Sequence, residues 1–332
     1  MRFSIIIPMF NAELTIVDTL SSALAQNMSG FEVVVVDDHS SDRSWELVES
    51  RLAKFSNLKL IKNLAKGANS ARMSGVQFCS GDYIVFLDSD DRLSTNCLAK
   101  FNSEIESYSP DLVCADMSLV DETGRQIKGR IFNYNLTGLH VEMYEGRSVA
   151  YKIPPSACSK LFKASILKKI TFLDVPFAQD WNITYKYVAH CKNVCFLNES
   201  IYQYIRRQGS TSERARSGGN NILDACGSVL DINAYWRSLG CTKSQSKFLN
   251  HLLFRFYLNI FARLYSLASE AERKKYYHAV LEGSPKVRSF EGAGNCYIRS
   301  PGELSKYAFY VISRSGYFFF SFLFGRFGRA LS

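Results

Sequence analysis

The N-terminal part of the chain alternates short apolar, β-branched runs with stretches whose apolar positions recur every three or four residues. Phe3 to Ile7, Phe31 to Val36, Leu58 to Ile61 and Tyr83 to Leu87 read as strands. Ala12 to Ala25, with Leu14, Val17, Leu20 and Leu24 at helical spacing, Asp42 to Lys54, started by Ser41 or Asp42, and Ala68 to Cys79 read as helices. This alternation predicts an α/β fold with a parallel sheet. Ligands of such sheets bind beyond the carboxyl ends of the strands. Polar clusters fall at those ends: Phe10-Asn11, Asp37-Asp38 and Asp88-Ser89-Asp90.

The pattern loosens between 95 and 200. Asp111 to Ala115 reads as a strand, Asp121 to Gly124 as a turn, and 125–150 as a loop or hairpin. Pro154-Pro155 precedes an expected short helix near Lys160, Trp181 to Ala189 a longer one, and Val194 to Leu197 a late strand. Gly209 to Asn221 is a Gly/Ser/Arg-rich loop. Ile222 to Leu239 and Phe248 to Ala268 are helical in pattern, 283–302 is loop-like, and Leu304 to Leu331 is aromatic and basic.

Length and charge narrow the picture. The 332 residues, 47% of them hydrophobic, can bury a large core in one or two domains. A formal net charge of +9 fits a nucleic acid, an anionic membrane surface or a phosphate-rich small molecule. The basic residues form no known nucleic-acid motif, so no nucleic-acid partner is expected. Nine cysteines without a CxxC pair read as reduced, mostly buried thiols, as in a cytoplasmic protein. Neither a signal peptide nor a transmembrane helix is expected; Arg314 interrupts the nearest candidate, Tyr307 to Phe324.

The strongest chemical signal is Tyr83-Ile-Val-Phe-Leu-Asp-Ser-Asp-Asp91. An apolar strand ends in two carboxylates one residue apart. Such a pair can hold a divalent ion against a diphosphate leaving group, whose negative charge grows as its bond breaks. An Asp-rich turn explains the same residues with about equal weight. A phosphatase of the haloacid dehalogenase type also places DxD after a strand, but Arg92 stands where those enzymes carry Thr or Val, and three strands precede the motif. Taken alone, Arg72 reads as a surface charge on a helix and Asp180 as a helix N-cap.

Four segments occur in order: Ser4-Ile-Ile-Ile-Pro-Met-Phe-Asn11, Val34-Val-Val-Asp-Asp-His-Ser-Ser-Asp42, Gly67-Ala-Asn-Ser-Ala-Arg72 and Phe86-Leu-Asp-Ser-Asp-Asp91. Together they resemble family 2 glycosyltransferases of the bacterial surface-polysaccharide type. Lys160-Leu-Phe-Lys163, Phe177-Ala-Gln-Asp-Trp181 and Ile201-Tyr-Gln-Tyr-Ile-Arg-Arg207 resemble the acceptor half of that family. The resemblance implies a GT-A type nucleotide-binding αβα sandwich over 1–212, with a donor half of about 1–95, an acceptor half of about 96–212, and a mainly helical, basic-aromatic region over 213–332.

It also implies roles. Pro8, Phe10 and Asn11 line the base pocket, with Phe10 where the family more often has Tyr. Asp38 meets the uracil edge with Asp37 beside it, and Gly67, Ala68 and Arg72 lie near the base and diphosphate. Asp88 approaches the ribose or sugar, with Ser89 between it and Asp90, and Asp90, with Asp88, ligates Mn²⁺ or Mg²⁺. Arg206, Arg207 and Ser210 hold the diphosphate, a solvated basic loop being the equal alternative. Asp180 is the expected general base of an inverting transfer, and Gln179 stands where the family usually has Glu. The expected partners are a nucleotide-sugar donor, UDP-linked, and a saccharide acceptor, lipid-linked, in lipopolysaccharide, O-antigen or capsule synthesis. The basic and aromatic residues of the C-terminal region are expected to touch the inner face of the cytoplasmic membrane, a helical core or a dimer contact being the alternative. A non-catalytic protein that binds nucleotide sugar is the alternative, against which intact Asp88, Asp90 and Asp180 argue.

Overall fold

The computed structural model describes residues 2–132, 139–142, 153–207 and 220–246, and then 248–250, 252, 253, 256 and 260. The chain divides into two compact units, Met1–Thr211 and Ser212–Ser332. In the second, helix α7 (Asn220–Ser238) buries Ile222, Ala225, Val229, Ile232 and Trp236, the three-and-four spacing of one helix face. Trp236 packs on Phe248, their ring centroids 5.4 Å apart. Most of Phe248 to Ala268, and all of 283–302 and Leu304 to Leu331, lie outside the described residues.

The first unit is built on one sheet. Strands β1 (Phe3–Met9), β2 (Phe31–Asp37), β3 (Leu58–Lys62) and β4 (Tyr83–Phe86) lie parallel in the order β3-β2-β1-β4. The sheet then departs from the all-parallel expectation. β9 (Lys160–Lys163) runs antiparallel to both β4 and β6 (Leu112–Asp121), and β10 (Asn193–Arg206) runs parallel to β6. The segment near Lys160, expected as a helix, is therefore this strand, and only Ala164–Leu167 (α5) is helical. β-Pairing on both sides overrides local preference here, and Leu161 and Phe162 go into the core. β5 (Arg92–Leu93) pairs with β10, β7 (Gln126–Lys128) with β6 around the expected Asp121 to Gly124 turn, and β8 (Leu139–Glu142) with β10.

Alternation sends the two sides of the strands to different layers. Ile5, Ile7 and Met9 join Val33 and Val35 in a core with Ile16 and Leu20 of α1 (Ile16–Leu24), Val48 of α2 (Ser44–Glu49) and Leu98 and Phe101 of α4 (Cys97–Tyr108). Ile6 faces α3 (Ala68–Phe78), where a Cβ on Gly75 would come within 2.4 Å of its side chain. On that same side Phe86 packs on Phe162, and Phe162 meets Tyr187 of α6 (Gln179–Val188) edge-on at 4.9 Å. Helices thus cover both faces, as the αβα sandwich requires. The described cysteines are all free, and all but Cys241 are buried.

Candidate active site

Because β9 is antiparallel to both β4 and β6, the strands β1, β2, β4, β6 and β10 all point the same way. Their carboxyl ends bring Phe10, Asp38, Asp88 and Arg207 to one edge, where β9 begins with Lys160 and α6 with Gln179-Asp180.

The loops after β1 and β2 are stitched together. Asn11, at φ 45°, accepts the Ser41 N–H on its side-chain oxygen at 2.8 Å and donates its own N–H to Ser40 Oγ at 3.0 Å. The N–H groups of Ala12 and Glu13 go to Ser44 Oγ and Asp42 Oδ2 at 2.7 and 3.0 Å. These bonds consume the first turn expected of α1, which starts at Ile16 and leaves Leu14 92% exposed. Asp42 and Ser44 likewise shorten α2. The side chain of Asn11 is thus spent on the loop, whereas Phe10 is 59% exposed at its tip. Pro8 and Asp37 are buried in the strands.

Asp38 accepts the Gly67 N–H on both oxygens, at 2.9 and 3.0 Å, and the Asn63 side-chain amide at 2.7 Å. Gly67 has φ 118°, and a Cβ there would sit 1.7 Å from Asp174 Oδ2. The Asp174 carboxylate accepts backbone N–H groups of Asn69 and Ser70 at the α3 N-terminus; burial and nearby Asp38 nevertheless push it above the usual carboxylate range. Ala68 is half-buried beside it.

Arg72 is 5% exposed, which corrects the reading of a surface charge. Its guanidinium pairs with Asp88 at 2.8 Å and with Asp180 at 3.6 Å, and donates to Asn69 at 3.2 Å and Gln179 at 3.5 Å. Burial alone would lower its pKa; Asp88 and Asp180 instead hold it above that of a free guanidinium. Asp180 is the second residue of α6, not its cap, since Ala178 occupies that place at φ 61°. The Asp180 carboxylate, one-third exposed, also accepts the Ala157 N–H. Burial raises its pKa, Arg72 opposes this, and the result lies above the ordinary value.

The Asp-Ser-Asp loop is pinned from below, where Thr15 and Thr19 donate to the Ser89 carbonyl at 2.7 and 3.0 Å. Asp90 is half-buried, and burial and Asp88 push its pKa up to about 6 against the pull of Arg207. Asp91, which the sequence reading left without a role, is fully buried and accepts Tyr202 Oη–H at 2.6 Å and the Ile205 N–H at 2.8 Å. Its signal in the sequence was a third acid directly after the pair. Arg206 is exposed and Arg207 half-buried, and Ser210 lies outside the described residues.

The model of glycosyl transferase family 2 matches residues 4–170. The chain belongs to this family. It is 26% identical to glycosyltransferase GlyA of Streptococcus pneumoniae over 64% of this chain and 31% of that protein. It is 26% identical to poly(ribitol-phosphate) beta-glucosyltransferase of Bacillus spizizenii over 69% of this chain and 36% of that one. The chain thus spans about a third of the length of these relatives. Its fold is that of S. aureus TarS 1–349, solved in complex with UDP-GlcNAc, at a TM-score of 0.68 and 22% identity over 86% of this chain and 82% of that one. The GT-A expectation holds. Among the described residues no helix is long and apolar enough to cross a membrane.

Proposed function

We propose that the chain transfers one sugar from a UDP-sugar to a hydroxyl of a bacterial surface glycan with inversion at the anomeric carbon. The observation that carries this reading is the Arg72 guanidinium, bonded to Asp88 of the donor loop and facing Asp180 of α6. One buried cation thereby sets the spacing between a carboxylate suited to the donor and a carboxylate suited to the acceptor. Asp180 takes the proton of the attacking hydroxyl, and attack from the side away from the diphosphate inverts the centre. Arg206 and Arg207, at the end of β10, add positive charge for the diphosphate.

The donor set fits a hard divalent cation. Burial and the neighbouring Asp88 raise the cost of ionising Asp90, the mark of a site short of positive charge. Among the described residues no group of three or more His, Cys, Asp and Glu gathers, so two carboxylates, with diphosphate and water, would complete the shell of Mn²⁺ or Mg²⁺. When bound, the ion neutralises charge growing on the diphosphate. The base is read as uracil, with Asp38 near its edge and the exposed Phe10 beside it. The acceptor is read as lipid-linked, and the basic, aromatic residues beyond 212 as a peripheral contact with the inner face of the cytoplasmic membrane.

Purified protein with Mn²⁺ and a panel of UDP-, GDP- and dTDP-sugars tests the reading by nucleoside diphosphate release, with and without EDTA. Release from a UDP-sugar, lost with EDTA and in Asp180→Asn, is expected. Donor binding by calorimetry should survive that substitution. Undiminished turnover in Asp180→Asn refutes the base assignment.

A further inference from the structure

Lys160 opens β9 with its side chain 1% exposed, an unusual place for an ammonium group. Among the described residues its hydrogen bond goes to the Ser156 carbonyl. That carbonyl also receives Thr184 Oγ1–H at 3.2 Å, and the same hydroxyl reaches the Pro155 carbonyl at 2.9 Å. Thr184 stands four residues after Asp180 on α6, so both side chains lie on one face of that helix. Between the two grips, the Ala157 N–H donates to the Asp180 carboxylate. The far end of the turn is fastened as well: Ser159, at φ 60°, donates its hydroxyl to the carbonyls of Ala115 and Asp116 at 2.5 and 3.0 Å. The turn 155–159 is thus a bracket clamped to β6, β9 and α6, and its Ala157 amide is aimed at the candidate base.

We propose that Lys160 is a positioning residue for Asp180: its buried ammonium fixes the Ser156–Ala157 turn that holds the carboxylate, and supplies a second positive charge beside that of Arg72. The proposal rests on the reading of Asp180 as the base. The charged and titratable groups that face Asp180 are Arg72 from α3, Asp88 from the end of β4, Lys160 from β9 and the buried Cys158 thiol. Arg72 and Lys160 favour the ionised carboxylate and Asp88 opposes it. Burial draws the Lys160 ammonium below its ordinary pKa, while Cys114 and Asp180 draw it back up.

The test reads Asp180 itself and needs no acceptor. Carboxyl-¹³C aspartate is incorporated, and the Asp180 signal is assigned by its loss in Asp180→Asn. In folded Lys160→Met the signal should titrate about one pH unit higher than in the parent protein. Lys160→Arg, which keeps the charge, should restore the parent value. An Asp180 signal that titrates at the parent pH in folded Lys160→Met overturns the proposal. Should Lys160→Met fail to fold, Thr184→Val decides. It loosens the same carbonyl, so the Asp180 signal should move upward, and an unmoved signal is the overturning result. UDP release from UDP-GlcNAc in Asp180→Asn separately judges the base reading, so the two can fail independently.

Discussion

The Tyr202 hydroxyl donates to the Asp91 carboxylate at 2.6 Å and accepts the backbone N–H of Asp88 at 3.3 Å. One phenol on β10 therefore fixes both ends of the Asp-Ser-Asp-Asp loop. Tyr202→Phe removes a buried donor and leaves the Asp91 carboxylate, among the described residues, with the Ile205 amide. The cost should be about 1–3 kcal/mol in urea unfolding, with weaker Mn²⁺-dependent UDP binding as the loop loosens. Unchanged stability would show that the phenol is not the fastening it is taken for.

Arg72 serves two carboxylates with one planar fork. Lysine keeps the charge but cannot reach both in parallel. Arg72→Lys should lower turnover about a hundredfold, more than it weakens donor binding, in steady-state kinetics at saturating donor. Arg72→Met removes the cation that pairs with both carboxylates and should in addition cost about 3–5 kcal/mol of stability.

Asp90, raised to about 6, predicts a pH dependence of metal binding. Above that value the carboxylate is free to bind the ion; below it a proton must leave first. With UDP present, Mn²⁺ affinity should level off above about pH 7 and fall about tenfold for each pH unit below 6. Titration calorimetry in buffers of different ionisation enthalpy would register the proton released. An affinity that is flat between pH 5 and 7.5 removes Asp90 from the ligand set.

Gly67→Ala forces a side chain into the Asp174 carboxylate at a backbone angle that L-residues rarely adopt. The variant should lose roughly 1–3 kcal/mol in thermal or urea unfolding. Its affinity for UDP should drop as well, because the Gly67 amide orients Asp38.

Glu32, buried on β2, tests the core rather than the site. Burial raises its pKa, but Lys59 at 2.7 Å, Ser4 and Ser80 outweigh it and hold the group at about 2. A carboxylate whose folded pKa lies below its unfolded value stabilises the fold above the unfolded pKa, and that support is lost as pH falls towards about 2. Glu32→Gln should cost on the order of 3 kcal/mol at pH 7, and the gap to the parent protein should narrow steadily below pH 5. A gap that stays constant with pH would mean that shape, not charge, supports this corner.

The strands of the donor half and the polar clusters after them were legible because each is a local pattern: an apolar run followed by turn-forming acids. The placement of Arg72 was not. On its helix it looks like any surface charge, and only the approach of α6 from more than a hundred residues away buries it. β9 escaped for a similar reason, since Lys160 to Lys163 carries a charge at each end and acquires its strand character from β4 and β6. The length of β10 was hidden by register shifts between Leu197 and Tyr202. Asp91 and Tyr202 have meaning only as a pair, and nothing in either neighbourhood announces the other.

The interposed strand β9 has a consequence for how the molecule assembles. The segment that carries the donor loop ends on β4, whose free edge is closed by residues more than seventy positions later. A chain stopped near residue 95 would present that edge bare, a template for pairing with other copies of itself. The two halves named from sequence thus share one sheet, and a nascent chain must wait for the segment that carries β9 before the edge of β4 is safe from aggregation.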